Sequence, residues 1–159
     1  MPNKYLVVFD TVMMVQSAIN PEGIARKCLL YFERGEISIA VSRDTIAEVK
    51  DVLSRPHIRD RYDHITDEKV AALVELLTYK GRFVRNVKEH FTYPRDPDDE
   101  PYLNLAIEVK ADYLISWDND MLDLMKWDKP DGREFQKRFR FLKIVNPKEF
   151  LQEMEKEKS

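Results

Sequence analysis

The chain has one cysteine, Cys28, and no apolar run near the roughly 18 residues of a membrane span. A single thiol closes no internal disulfide, which excludes a small cross-linked scaffold. Lying in an apolar helical stretch, Cys28 reads as a buried thiol in a reducing cytoplasm. The first residues lead almost directly into an apolar strand, so no secretory leader is expected. His57, His64 and His90 show no ligand spacing and read as surface or loop residues. No repeat, low-complexity tract or linker divides the chain. Basic charge is not in excess either. With 26 Lys and Arg against 29 Asp and Glu, the net charge of −3 does not by itself make a binder of nucleic acid.

What is present is a chain of 159 residues, 43% apolar and 35% charged, of one-domain size. It is long enough to bury about two-thirds of its unfolded surface. Residues 1–155 are expected to form the domain, with 156–159 a frayed tail. Apolar runs at 5–10, 37–41, 83–87, 113–117 and 139–145 read as strands. Between them lie helical patterns at 12–19, from Asn20-Pro21 to Gly35, from Ser42 to Pro56, from Thr66 to Gly81, at 102–109 and at 121–125. Asn146-Pro147 opens a terminal helix. Strands alternating with helices predict an α/β fold, a parallel sheet with helices on both faces.

Several acids sit where these elements meet. Asp10 closes the first strand and Asp118 follows the fourth. Glu48 lies in the helix after the second strand, and Asp96, Asp98 and Asp99 lie just ahead of another helix. Open parallel sheets bind ligands beyond the carboxyl ends of their strands. Carboxylates gathered there without Lys or Arg in the same motifs repel one another unless a cation joins them. Oxygen-only ligands suit Mg²⁺ or Mn²⁺, which points to phosphate chemistry. Basic residues cluster at 55–61 and 133–143, as a rim suited to a polyanion or as ordinary solvated faces. Trp117 and Trp127 read as packing residues before base-stacking platforms.

In order along the chain, four segments resemble the PIN-domain family of metal-dependent ribonucleases, in particular its toxin-like branch from prokaryotic toxin–antitoxin pairs. They are Val7-Val8-Phe9-Asp10-Thr11-Val12, Val41-Ser42-Arg43-Asp44-Thr45-Ile46-Ala47-Glu48, the stretch from Arg95-Asp96-Pro97-Asp98-Asp99 to Ala106, and Tyr113-Leu114-Ile115-Ser116-Trp117-Asp118-Asn119-Asp120. The resemblance implies that Asp10, Glu48, Asp99 and Asp118 form the catalytic, metal-binding set. Asp99 is preferred to Asp98 because it lies two helical turns before Ala106, on nearly the same face, whereas Asp98 points about 100° away. Asp96, Asp98 and Asp120 are second-rank candidates, and Thr11 and Ser116 are hydroxyl partners for neighbouring carboxylates. Val12 departs from the family pattern, which usually has Asn there.

The resemblance further implies hydrolysis of RNA phosphodiester bonds with one or two Mg²⁺ or Mn²⁺ ions, giving a 5′-phosphate and a 3′-hydroxyl. Arg55, Arg59, Arg61, Arg133, Lys137 and Arg138 are the candidate contacts to single-stranded or structured RNA. An antitoxin protein is the expected partner and no membrane is involved. The apolar helices at 12–19 and 24–32 read equally well as a homodimer surface or as core. Two other functions compete. A catalytically weak or inactive PIN-like module that binds RNA or protein fits Val12. A phosphatase of the haloacid dehalogenase type would use Asp10 as nucleophile, but it needs a second Asp where Val12 stands.

Overall fold

Apolar residues rich in β-branched side chains make Tyr5–Phe9 the first strand, β1, and Ile37–Ser42 the second, β2. In the computed structural model, which describes residues 4–158, the two pair in parallel, with Tyr5 opposite Ile37 and Val7 opposite Ile39. The crossover between them is α1 (Thr11–Ile19) and α2 (Ile24–Glu33). Next come α3 (Arg43–Leu53), α4 (Pro56–Arg61) and α5 (Asp67–Lys80), which lead to the edge strand β3 (Arg82–Val84) beside β2. A 3₁₀ turn at Pro97–Asp99 runs into α6 (Glu100–Glu108), and β4 (Tyr113–Ile115) then pairs with the other side of β1. After α7 (Asn119–Leu122) and α8 (Pro130–Arg138), β5 (Lys143–Val145) lies beside β4 and α9 (Pro147–Lys158) follows.

The sheet order is β3-β2-β1-β4-β5, with every pairing parallel. Alternation along each strand feeds a core on each face. Val7, Phe9, Ile39, Val41, Tyr113 and Ile115 face α1, α2, α3, α5 and α9. Val8, Ala40 and Leu114 face α6 and the segment around α8. The fold is therefore α/β, with helices on both faces of a parallel sheet. β2 leaves β1 on one side and β4 arrives on the other, so the strand order reverses between β1 and β4. That reversal opens a crevice at their carboxyl ends, where Asp10 and Asp118 lie.

Local chemistry moves several expected boundaries. Asn20 ends α1 as its C-terminal cap, and α2 begins only at Ile24 behind Gly23. Pro56 starts α4 at its first turn instead of marking the end of α3, which closes at Leu53. Ser42 caps α3 as expected, in a reciprocal box with Thr45. The last two strands keep only three residues each before β5's helix and the loop after β4. The expected late strand at 139–145 loses its first half to the end of α8 and a turn. α9 continues through Lys158, past the point at which the tail is expected to fray, and Ser159 lies outside the described residues. The apolar residues of α1 and α2, Met13, Met14, Cys28, Leu29 and Phe32 among them, are buried in the core of the chain itself.

Leu114 is fully buried on β4, the strand that delivers Ser116 and Asp118 to the crevice. Leu114→Ala should lower stability by about 2–5 kcal/mol, read as a lower urea midpoint at an unchanged slope.

Candidate metal centre

Each acid of the crevice is placed by an ordinary structural device that leaves part of its carboxylate open. Asp10 caps α1, with Oδ1 accepting from the Met13 N–H at 2.9 Å. Its Oδ2 accepts from the Ser116 hydroxyl at 2.5 Å, which ties the end of β1 to the end of β4. Ser116 Oγ in turn accepts from the Asp118 N–H at 2.9 Å. Asp118 caps α7 through Oδ1, which accepts from the Asp120 N–H at 2.8 Å. Asp10 and Asp118 thus both cap helices, and the caps orient both carboxylates.

Glu48 projects from α3 and is gripped from α6, where the Tyr102 hydroxyl donates to its Oε2 at 2.5 Å. The Tyr102 hydroxyl also meets the Thr11 hydroxyl. With the phenolic proton given to Glu48, Thr11 is the donor to Tyr102. Burial, and then the Glu48 carboxylate, push the Tyr102 phenol far above its ordinary range, so it remains a donor. In the sequence Tyr102 opens the apolar helical pattern at 102–109 and stands out only by its position three residues after Asp99, one helical turn on.

A cleft of about 430 Å³ is lined by Asp10, Thr11, Val12, Glu48, Asp96, Asp98, Asp99, Tyr102, Trp117 and Asp118. All four residues of the expected set meet there, with no Lys or Arg among the described residues that line it. The tightest group is Asp96, Asp99 and Asp118, whose carboxylate oxygens come within 4.8 Å of one another. Asp96, a second-rank candidate, therefore stands closer to Asp99 and Asp118 than rank implied, while Asp10 and Glu48 line the same cleft outside that trio. Asp99 is buried and Asp98 exposed. Ser116 sits beneath the cleft as the partner of Asp10. Asp120 stands behind the lining, where it pairs with Arg95 at 2.8 Å and contacts Asp96.

The expected basic contacts lie elsewhere, since none lines the cleft. Arg59 is engaged by the Leu53 carbonyl at 2.7 Å and by Asp67 at 2.9 Å. Arg138 donates to the His90 carbonyl at 2.8 Å and lies over the Phe139 ring. Arg55 pairs with Asp51, Arg61 lies over Tyr62, Lys137 lies over Trp127, and Arg133 is exposed on α8. A buried acid that the sequence reading missed, Asp123, collects Arg95, Lys126 and Lys129, each at 2.8 Å. These three cations hold its carboxyl well below the usual carboxylate range.

The electrostatics of the cleft fit a divalent cation. Asp99 Oδ2 is buried without a hydrogen-bond partner, a costly state for a carboxylate oxygen unless an ion occupies it. Burial, followed by the charges of Asp118 and Asp96, pushes the Asp99 carboxyl up to about 9. Burial raises Asp10 to about 6, even though Ser116 and the Met13 N–H pull the other way. Asp96 is raised as well, by burial, by its hydrogen bond with Asp120 and by the charge of Asp118. Such an all-oxygen donor set suits a hard ion such as Mg²⁺ or Mn²⁺.

Folded Asp99 and Asp10 bind protons more tightly than the unfolded chain does. The stability they contribute is full below about pH 4, and falls as pH rises through about 6 for Asp10. For Asp99 the loss continues through about 9. The melting temperature in chelator should therefore fall from pH 5 to pH 9, and Asp99→Asn should flatten that decline. Millimolar Mg²⁺ or Mn²⁺ should raise the wild-type melting temperature most at the alkaline end and leave the Asn variant nearly unmoved. A wild type that melts at the same temperature with chelator and with metal across this range would remove the cation from the cleft.

Comparison with known proteins agrees with this arrangement. Residues 6–120, most of the chain, match the PIN domain. Over 154 residues the chain is 29% identical to the uncharacterized protein MJ1680 of Methanocaldococcus jannaschii, covering 96% of this chain and 94% of that protein. It is also similar in fold to a chain in the crystal structure of VapBC2 from Rickettsia felis bound to a DNA fragment from their promoter. That likeness has a TM-score of 0.51 and 16% identity, covering 89% of this chain and 98% of the other. PIN domains are generally metal-dependent nucleases. With its parallel sheet, its acidic crevice and a match across residues 6–120, this chain belongs to the PIN-domain family.

Proposed function

We propose that the protein is a metal-dependent endoribonuclease and the toxin component of a toxin–antitoxin pair. The observation that carries the catalytic reading is the buried, unpartnered Asp99 Oδ2 within a cleft of carboxylates at the strand-order reversal. Asp96, Asp99 and Asp118 would hold Mg²⁺ or Mn²⁺, with Asp10 and Glu48 available to a second ion. The bound metal supplies positive charge against the phosphodiester and acidifies a water. Tyr102 fixes Oε2 of Glu48, and where Oε1 does not hold a second ion it would take a proton from the attacking water. Ser116 keeps Asp10 aimed along the seam between β1 and β4. In-line attack by water leaves a 5′-phosphate and a 3′-hydroxyl. The antitoxin is supported by the resemblance to the toxin-like branch and by the fold shared with VapBC2.

Val12, half exposed in the cleft where the family usually has Asn, favours a second reading, an RNA-binding PIN module with weak or no catalysis. Cleavage of single-stranded RNA in Mg²⁺ or Mn²⁺, abolished by chelator and reduced at least about 100-fold by Asp10→Asn, supports the nuclease. Binding without metal-dependent cleavage would support the module instead.

Arg61, Arg133 and Lys137 make no ion pair with an acid among the described residues and are the basic positions most available to phosphate. Replacing all three with Ala should flatten the slope of log affinity for single-stranded RNA against log salt by about 2, at roughly 0.7 per contact. An unchanged slope would reduce these clusters to solvated faces.

A further inference from the structure

An acidic cleft without a cation in its lining has little with which to grip RNA apart from its metal. Among the other lining groups, Thr11 and Tyr102 are buried and bonded to each other, and Tyr102 is bonded to Glu48. Val12 and Trp117 remain. Val12 is 51% exposed and Trp117 41%, although both are apolar and both border carboxylates. The first turn of α1 fixes Val12 two residues after Asp10, and Trp117 lies in the loop two residues past the end of β4, next to Asp118. No ring of the described residues stacks on the Trp117 indole. Trp127 differs, because the Lys137 ammonium lies over its face.

We propose that Val12 and Trp117 form an apolar rim that takes one nucleobase of single-stranded RNA, stacked on the Trp117 indole beside the phosphate held by the acidic cleft. This subsite rests on the ribonuclease reading above and supplies the grip that the acids cannot. Stacking needs only a π-face, so the rim accepts any base and rejects one that is already stacked within a duplex. It also gives Val12 a task. Asn in that position would bring a hydrated amide to the rim, whereas Val keeps the wall beside the base dry.

Trp127→Phe leaves Trp117 as the only tryptophan of two and makes its fluorescence the readout. In millimolar Mg²⁺, followed by stopped flow before turnover accumulates, a single-stranded oligoribonucleotide should quench that emission. The same sequence as a duplex, and an abasic ribose-phosphate oligomer, should not. Trp117→Ala should weaken binding of the single strand about tenfold, and Trp117→Phe, which keeps an aromatic face, should stay within about threefold of wild type. Equal quenching by the abasic oligomer, or undiminished affinity in Trp117→Ala, overturns the subsite. If RNA is still cleaved in a metal-dependent way under either result, the ribonuclease reading stands without it. If wild type neither binds nor cleaves RNA, both fall together.

Discussion

Mutual repulsion among carboxylates is the constraint around which the rest of this structure is arranged. Asp96, Asp99 and Asp118 lie within a few ångströms of one another, with Asp10 and Glu48 on the walls of the same cleft. Each close pair of ionised acids costs about 1–4 kcal/mol, depending on how much water screens it. Nothing in the lining offsets this. The fold therefore supplies the restraint from outside: two hydrophobic cores clamp the sheet from both faces, and the ends of β1 and β4 are pinned by hydrogen bonds through Ser116. In a protein stable by only about 5–15 kcal/mol, protonation of Asp99 and Asp10 relieves such a cluster, and a bound divalent ion would do the same.

The same few bonds set both geometry and protonation. Ser116 holds one oxygen of Asp10 while a backbone N–H holds the other, so that acid contributes charge in a fixed direction. Asp99 is placed differently. It stands at the start of α6 with one oxygen bare, and its burial drives the carboxyl toward the neutral form. A metal bound at Asp99 would compete with that proton, so its affinity would rise toward alkaline pH.

The alternation of strands and helices was legible because each strand is a short apolar run and each helix carries its own period and cap. The acids at the ends of β1 and β4 were legible for the same reason, as polar residues that interrupt apolar runs where a strand must stop. Boundaries governed by competing caps were less so. Asn20-Pro21 is a plausible helix start in sequence, yet Asn20 serves the preceding helix and α2 waits for Gly23. Tyr102 escaped because an aromatic residue in a buried stripe looks like core, and only the fold brings α3 within reach of its hydroxyl. Asp123 escaped because its partners come from three separate positions, one of them 28 residues earlier.

Asp123 and Asp120 engage the cation that stands next to the acidic cleft in sequence. Arg95 is adjacent in sequence to Asp96, and an Arg there could turn into the trio and neutralise it. Instead its Nε is paired with Asp120 and its Nη2 with Asp123, both at 2.8 Å, while Lys126 and Lys129 close on the same buried Asp123 carboxylate. A guanidinium forked between two acids has its donors directed and loses little by staying. The clamp thus does two things at once. It fastens the loop carrying Asp96 to the turn after α7, and it engages the guanidinium next to Asp96 in sequence, which does not line the cleft.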